Sequence, residues 1–81
     1  MIKEQHIFWP TPEGKRDSLN VLLKARSIGY IVWITIFYKI DCERQKFSGW
    51  VNNQTWNTVK KAIEYADRDI RIYDVCNNLD V

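Results

Sequence analysis

The 81-residue chain has little of what catalytic and metal-binding sites are usually built from. It contains one histidine, His6, and two cysteines, Cys42 and Cys76, which stand far apart in the sequence. A structural zinc site needs four ligands at characteristic spacings, and a nucleophilic site needs a base beside its nucleophile. The sequence offers neither set, and it has no glycine-rich phosphate-binding loop. It therefore predicts a protein that is not an enzyme and that has no metal or cofactor.

Long apolar runs are also missing. No stretch reaches the roughly 18 residues needed to span a membrane, and the opening MIKEQHIFWP lacks the apolar core of a signal peptide. We therefore expect a cytoplasmic protein with no membrane partner. In that reducing environment Cys42 and Cys76 are expected to be free, buried or half-buried thiols, and one disulfide between strands is the alternative.

The overall composition is typical of a globular domain, with 46% hydrophobic and 27% charged residues. The chain has three glycines, two prolines, no repeat and no linker, so we expect a single domain over residues 1–81, with a frayed tail at 77–81. Four tryptophans, four tyrosines and three phenylalanines are many for this length. Aromatic side chains bury a large area each, and they also anchor interfaces.

The net charge of +2 conceals an uneven distribution along the chain. Residues 1–61 hold ten lysines or arginines against five acids, whereas residues 62–81 hold two against five. Neither block is a run of like charges. The sequence thus predicts a basic body and an acidic C-terminal end, both carried on an ordinary solvated surface.

One segment, residues 30–40 with the sequence YIVWITIFYKI, predicts a long β-strand. Every even position is apolar, and successive strand side chains point to opposite faces, so the even face is expected to line the core. The odd face carries Trp33, Phe37 and Lys39, which are then presented to a second packed layer or to a partner.

The segments around this strand predict two helices and up to three further strands. Strand signals lie at residues 4–9, 45–51 and 70–75, and Gly49 within the second of these suggests a bulge or a close backbone approach. A helix is predicted over about 15–28, starting at Thr11-Pro12 or at Asp17-Ser18 and ending at Gly29. A second helix is predicted from Trp56 to Ala66 by apolar residues at spacings of three and four.

The element order (β)αββαβ predicts an α+β fold, a single small two-layer sandwich. Its sheet has three or four antiparallel or mixed strands, with two helices on one face. Right-handed crossovers with interleaved strands make the ferredoxin-like sandwich the first guess, and αββαβ is the alternative if the first strand is absent. The core is expected between the even face of the long strand and two helical stripes, formed by Leu19, Leu22 and Leu23 and by Trp56, Val59 and Ile63.

The leading functional hypothesis is a non-enzymatic protein-binding module. Aromatic side chains are the usual hot spots of interfaces, and lysines suit an interface rim. The residues predicted to contact the partner are Trp33, Phe37, Lys39, Lys46 and Trp50. A second candidate surface consists of Arg68, Arg71 and Tyr73 with the acidic end.

Three alternatives to the hypothesis that these rings are exposed for a protein partner stay open. The same face suits a nucleic-acid-binding domain, because bases stack on rings while lysine and arginine meet phosphates. Neither YIVWITIFYKI nor QKFSGWV, however, has the glycine-and-aromatic signature of RNA-recognition strands. The rings of Trp33 and Phe37 would otherwise pack beneath the N-terminal Ile7, Phe8 and Trp9, or in a homodimer interface.

In size and style the chain resembles the small regulators and inhibitors carried by phages and mobile elements. The resemblance lies in a small single domain with aromatic surface, no catalytic set and no secretion signal, and it involves no motif. It implies a protein that occupies a surface of a larger protein or nucleoprotein machine, such as a host defence nuclease. Because the strong acidity of DNA-mimicking inhibitors is missing, we expect steric occlusion.

Overall fold

A computed structural model describes residues 2–75, which form one four-stranded sheet and two helices. In chain order the elements are β1 (Ile2–Phe8), α1 (Pro12–Ser27), β2 (Val32–Ile40), β3 (Glu43–Trp50), α2 (Trp56–Glu64) and β4 (Ile70–Val75). This confirms the predicted α+β class and the full βαββαβ order, including the first strand. Both helices contribute to one core against one face of the sheet.

The strand order in the sheet is β1-β4-β2-β3, with every neighbouring pair antiparallel. Each helix joins two parallel strands that are separated by one other strand, as in two interleaved split βαβ units. The ferredoxin-like sandwich shares this interleaving but has its first and third strands in the centre of the sheet. The ferredoxin-like strand order, the first guess from the sequence, is therefore wrong. β2 and β4 lie at the centre, where Val32, Ile34, Ile36, Ile70 and Ile72 are buried. The more polar β1 and β3 tolerate the edges.

The predicted core face of the long strand is confirmed. Val32, Ile34 and Ile36 on β2 are buried, the two isoleucines completely, and they pack with Ile70 and Ile72 of β4. From the helices, the core receives the buried side chains Leu22, Ala25, Val59, Ala62 and Ile63.

β2 begins two residues later than predicted, because the residues just before it form the C-terminal cap of α1. Gly29 has φ +82, and its N–H donates to the Arg26 carbonyl. The Tyr30 N–H donates to the Ala25 carbonyl, which completes a Schellman motif. Tyr30 and Ile31 therefore precede β2 and are exposed.

α1 starts at the first of its two possible caps. Thr11 Oγ1 accepts a hydrogen bond from the Gly14 N–H (3.0 Å), and Pro12 follows at the first helical position. Leu22 is fully buried and Leu19 partly so, as predicted. Leu23 is 51% exposed, which corrects its assignment to the core stripe. It lies one residue beyond Leu22 and so about 100° around the helix.

A two-residue turn joins β2 and β3. Asp41 and Cys42 both have positive φ, +52 and +66, which is the geometry of a type I′ hairpin turn. β3 consequently begins at Glu43, two residues earlier than predicted. Cys42 is an exposed free thiol, contrary to the expected burial, because the turn projects it from the sheet. Cys76 and the predicted tail at 77–81 lie outside the described residues.

The pairing of β2 with β3 runs through Gly49 without a shift in register, so the suggested bulge is absent. The ring of Phe47 instead occupies the space beside Gly49, at an ordinary van der Waals distance. A Cβ placed on Gly49 would lie 3.4 Å from the ring of Phe47, which packs against the core on the same face of the strand.

α2 is preceded by a hydrogen-bonded turn. Asn52 Oδ1 accepts from the backbone N–H of Gln54 (2.9 Å) and of Thr55 (3.0 Å), and Thr55 Oγ1 donates to the Trp50 carbonyl (2.7 Å). The helix ends at Glu64, earlier than predicted. Ala66 instead forms an isolated antiparallel bridge with Tyr38 of β2.

We expect Gly14→Ala to destabilise the domain by about 1–3 kcal/mol, the usual effect of overpacking. In an isolated helix this change is stabilising by about 1 kcal/mol. Here the new Cβ would overlap the carbonyl oxygen of Trp9, which is backbone and cannot rotate away. Urea unfolding followed by circular dichroism measures the difference. Asn20→Ala, at an exposed position of the same helix, is the control and should not destabilise. A Gly14→Ala protein as stable as the wild type would contradict the prediction.

Candidate functional site

The face of the sheet turned away from the helices is the candidate binding surface, and we call it the open face. It is built by strand alternation and cross-strand register, which bring every second residue of the four strands to one side. All five predicted contact residues lie on it. Its members are Gln5, Ile7, Trp33, Thr35, Phe37, Lys39, Arg44, Lys46, Ser48, Trp50, Arg71 and Tyr73.

A row of three aromatic rings crosses one end of the open face. Trp33 on β2 is directly opposite Trp50 on β3 and Tyr73 on β4. The two indoles meet edge to face, with centroids 4.9 Å apart and planes at 83°. Trp33 Nε1 donates to Ser48 Oγ (3.1 Å), which fixes its ring. Trp50 is 42% exposed, whereas Trp33 and Tyr73 are half-buried, so this aromatic row is both ordered and accessible.

The next row along the strands is polar and internally hydrogen-bonded. The hydroxyls of Thr35 and Ser48 lie 3.1 Å apart. Arg71 Nε donates to Asp69 Oδ2 at 2.9 Å. This hydrogen bond, together with the negative charge of Asp69, raises the pKa of Arg71 above its ordinary value. The contact holds the Arg71 guanidinium beside Asp69.

The far end of the open face is cationic. The ring of Phe37 has the Arg68 guanidinium 4.6 Å and the Lys46 ammonium 5.5 Å from its centroid. Both are cation–π distances. One row further, Lys39 pairs in register with Arg44. Together with Arg71, five cations thus gather on or beside the open face.

Carboxylates neutralise only part of this charge. Asp69 binds Arg71, and Asp67 lies 3.7 Å from Arg44. Among the side chains that the structure describes, no carboxylate forms an ion pair with Lys39, Lys46 or Arg68. The open face therefore has an apolar aromatic end and a net positive end. With about 3.3 Å per residue along a strand, the Trp33 and Lys39 rows stand roughly 20 Å apart.

One of the alternatives for the rings is overturned. β1 does not cover Trp33 and Phe37, because it extends the plane of the sheet on the far side of β4. Phe8 packs against the core, on the helical side. Trp9 is 68% exposed. The N-terminal segment thus leaves the rings of β2 uncovered.

Three residues of the second candidate surface lie on the open face or contact it, while its acidic end beyond residue 75 lies outside the described residues. Arg71 and Tyr73 lie on the open face, and Arg68 reaches it through Phe37. No sequence pattern showed this directly, since it depends on β4 lying beside β2. The apolar character of both strands was the one available indication that they are neighbours at the centre of the sheet.

Within residues 2–75, no group of three or more His, Cys, Asp and Glu side chains is placed to hold a metal ion. Neither described helix combines the length and the apolarity required to cross a bilayer.

Comparison with known proteins gives no relative for this chain. No family model matches the sequence, and neither a curated protein nor a solved structure is significantly similar to it.

Proposed function

We propose that this chain is a non-enzymatic protein-binding module, whose open face docks on a larger protein and acts by covering part of its surface. The observation that carries the proposal is the accessible aromatic row of Trp33, Trp50 and Tyr73 on a sheet face without helices. Tryptophan and tyrosine are strongly enriched among the residues that dominate binding energy. The hydrogen bond from Trp33 and the ring contact with Trp50 order two of these side chains in advance, which lowers the entropic cost of binding.

The charge of the open face defines the partner further. Lys39, Lys46 and Arg68 lack ion-pair partners among the described side chains, so a complementary surface places carboxylates against them. The aromatic row accepts an apolar side chain. The partner we propose is therefore a protein with an apolar prominence next to an acidic patch.

A second copy of the chain fits this description poorly. Two open faces packed together would place the cations of one copy either against those of the other, where like charges cost several kcal/mol, or against its aromatic row, which offers them no carboxylate. For that reason we propose a different protein as the partner rather than a homodimer.

Nucleic acid is the alternative ligand of the open face, because its phosphates would also be attracted to the positive charges. Stacking of bases requires ring faces that are free. Phe37 already has Arg68 and Lys46 over its ring, and one indole of the Trp33–Trp50 pair is covered by the edge of the other. These features favour a protein partner.

We extend the proposal to the role of such a module. A domain this small inhibits a large machine by blocking a surface, and a host defence nuclease is the class of target we propose, with a phage or mobile element as the source. The support is the size of the chain and its aromatic face.

Comparative affinity capture tests the proposal. Tagged wild type, a Trp50→Ala, Lys46→Glu double variant and a Leu23→Ser control are incubated with nuclease-treated lysate of the source or host cells. Leu23 is equally accessible but lies on a helix. Bound proteins are quantified by mass spectrometry, and binding is repeated with the purified candidate. We expect one partner that the wild type and Leu23→Ser retain and the double variant loses.

Two results would count against the proposal. One is a set of bound proteins that does not change between the wild type and the double variant. The other is tight binding of a single-stranded oligonucleotide that the double variant loses and that falls steeply with added salt, because this would assign the open face to nucleic acid.

A further inference from the structure

A second surface lies on the opposite side of the molecule, in the groove between α1 and α2. The groove has a volume of about 780 Å³, which lies within the usual range of small-molecule sites. Two cations from each helix line it: Lys15 and Arg16 from α1, and Lys60 and Lys61 from α2. We propose that this interhelical groove binds a small oligophosphate, a ligand with two or three linked phosphate groups.

The charges of the groove are unbalanced. Among the described residues, four cations from two elements line the groove, and Glu64 is the one carboxylate there. Like charges that face each other across a groove repel, and the repulsion is relieved when an anion lies between them. Within the described part of the chain, Arg16 and Lys61 have no ion-pair partner. Their charge is available to a ligand.

The other two cations are already positioned. Lys15 Nζ donates to the Glu64 carbonyl oxygen at 2.8 Å, which fixes its ammonium at the C-terminal end of α2. The Lys60 ammonium lies 5.9 Å from the centroid of the Trp56 ring, a cation–π distance. Two ordered cations and two free ones form a partly preorganised site, which reduces the entropic cost of binding.

The lining also indicates the kind of anion. Arginine and lysine together suit phosphate oxygens, the arginine through its fork of donors and the lysine as a point charge. Leu19 and Ile63 provide an apolar floor, and Tyr65, 44% exposed, provides a ring at the edge. Oligophosphates with or without an attached base fit this lining, so both are included in the test.

Isothermal titration calorimetry with sodium tripolyphosphate and with ATP tests the groove at low salt, where charge interactions are least screened. The variant is Arg16→Gln, Lys61→Gln. The control is Lys39→Gln, Lys46→Gln, which removes the same charge from the open face. We expect saturable binding that is at least roughly tenfold weaker in the groove variant, equivalent to about 1.4 kcal/mol, and that changes less than about twofold in the control. Tighter binding of ATP than of tripolyphosphate would show that the base contributes.

The Glu64→Gln variant is expected to change the affinity of the groove in the opposite direction. Removing this carboxylate from the groove should tighten binding, which loss of folding cannot imitate. Equal losses in the groove variant and the control would show non-specific charge attraction and overturn the proposal, as would the absence of saturable binding. Failure of the groove proposal would leave the proposed function untouched, because the capture experiment above changes no residue of the groove.

Discussion

Replacing Ile34 and Ile36 together by alanine is expected to unfold the domain, whereas replacing Trp33 and Phe37 on the same strand is not. Both isoleucines are fully buried in the centre of the sheet. Truncating a buried isoleucine to alanine typically costs about 2–5 kcal/mol, because apolar contacts are lost and a cavity remains. Two such changes together approach or exceed the total stability of a small domain, which is roughly 5–15 kcal/mol.

The change on the open face costs less for a specific reason. Trp33 and Phe37 are only half-buried. Each ring makes an aromatic or cation–π contact, and such contacts are worth about 0.5–1.5 kcal/mol each. We therefore expect the Trp33→Ala, Phe37→Ala protein to remain folded with a lower unfolding midpoint.

Urea unfolding followed by far-ultraviolet circular dichroism measures both double variants, since this signal comes mainly from the backbone and not, as fluorescence does, from the one tryptophan removed. The comparison is well matched because the four positions alternate along one strand. Equal destabilisation by the two double variants would mean that Trp33 and Phe37 belong to the core. The open face would then lose its role as a binding surface.

The assignment of the two faces of β2 could be made from the sequence because it depends on a local regularity. Side chains alternate strictly along a strand, and the apolar even positions of residues 32–36 left little choice of core face. The cap at Thr11 and the positive φ at Gly29 were equally local. One local prediction was wrong, namely the start of the long strand. The Schellman motif takes up the chain before Val32, so Tyr30 and Ile31 do not belong to β2.

The strand order could not be derived in the same way. It depends on which strands pair across long sequence separations, and hydrophobic periodicity does not record this pairing. The same difference between local regularity and long-range pairing applies to the candidate site. Trp33 and Phe37 were assigned to one face from alternation within a strand, but Tyr73 joined them only through the register of β4 with β2. The groove between the helices required the relative placement of α1 and α2, which no sequence spacing shows.

Once the partner is purified, Trp50→Ala is expected to weaken its binding by roughly 30-fold or more, equivalent to at least 2 kcal/mol, as for other hot-spot residues. Trp50 is the most exposed ring of the aromatic row and is held by Trp33. Surface plasmon resonance should show the loss mainly as faster dissociation. Tyr65→Ala is a matched control, since that ring is 44% exposed but lies on the helical side.

Lys46→Glu should act differently on the same complex. A rim charge mainly steers the encounter, so this variant is expected to slow association, with a penalty that shrinks as salt is added. The two variants therefore separate the aromatic and cationic ends of the open face by their rate constants. If Trp50→Ala and Tyr65→Ala weakened the complex equally, the aromatic row would not be its anchor. If Lys46→Glu had no salt-dependent effect, the acidic patch proposed for the partner would be excluded.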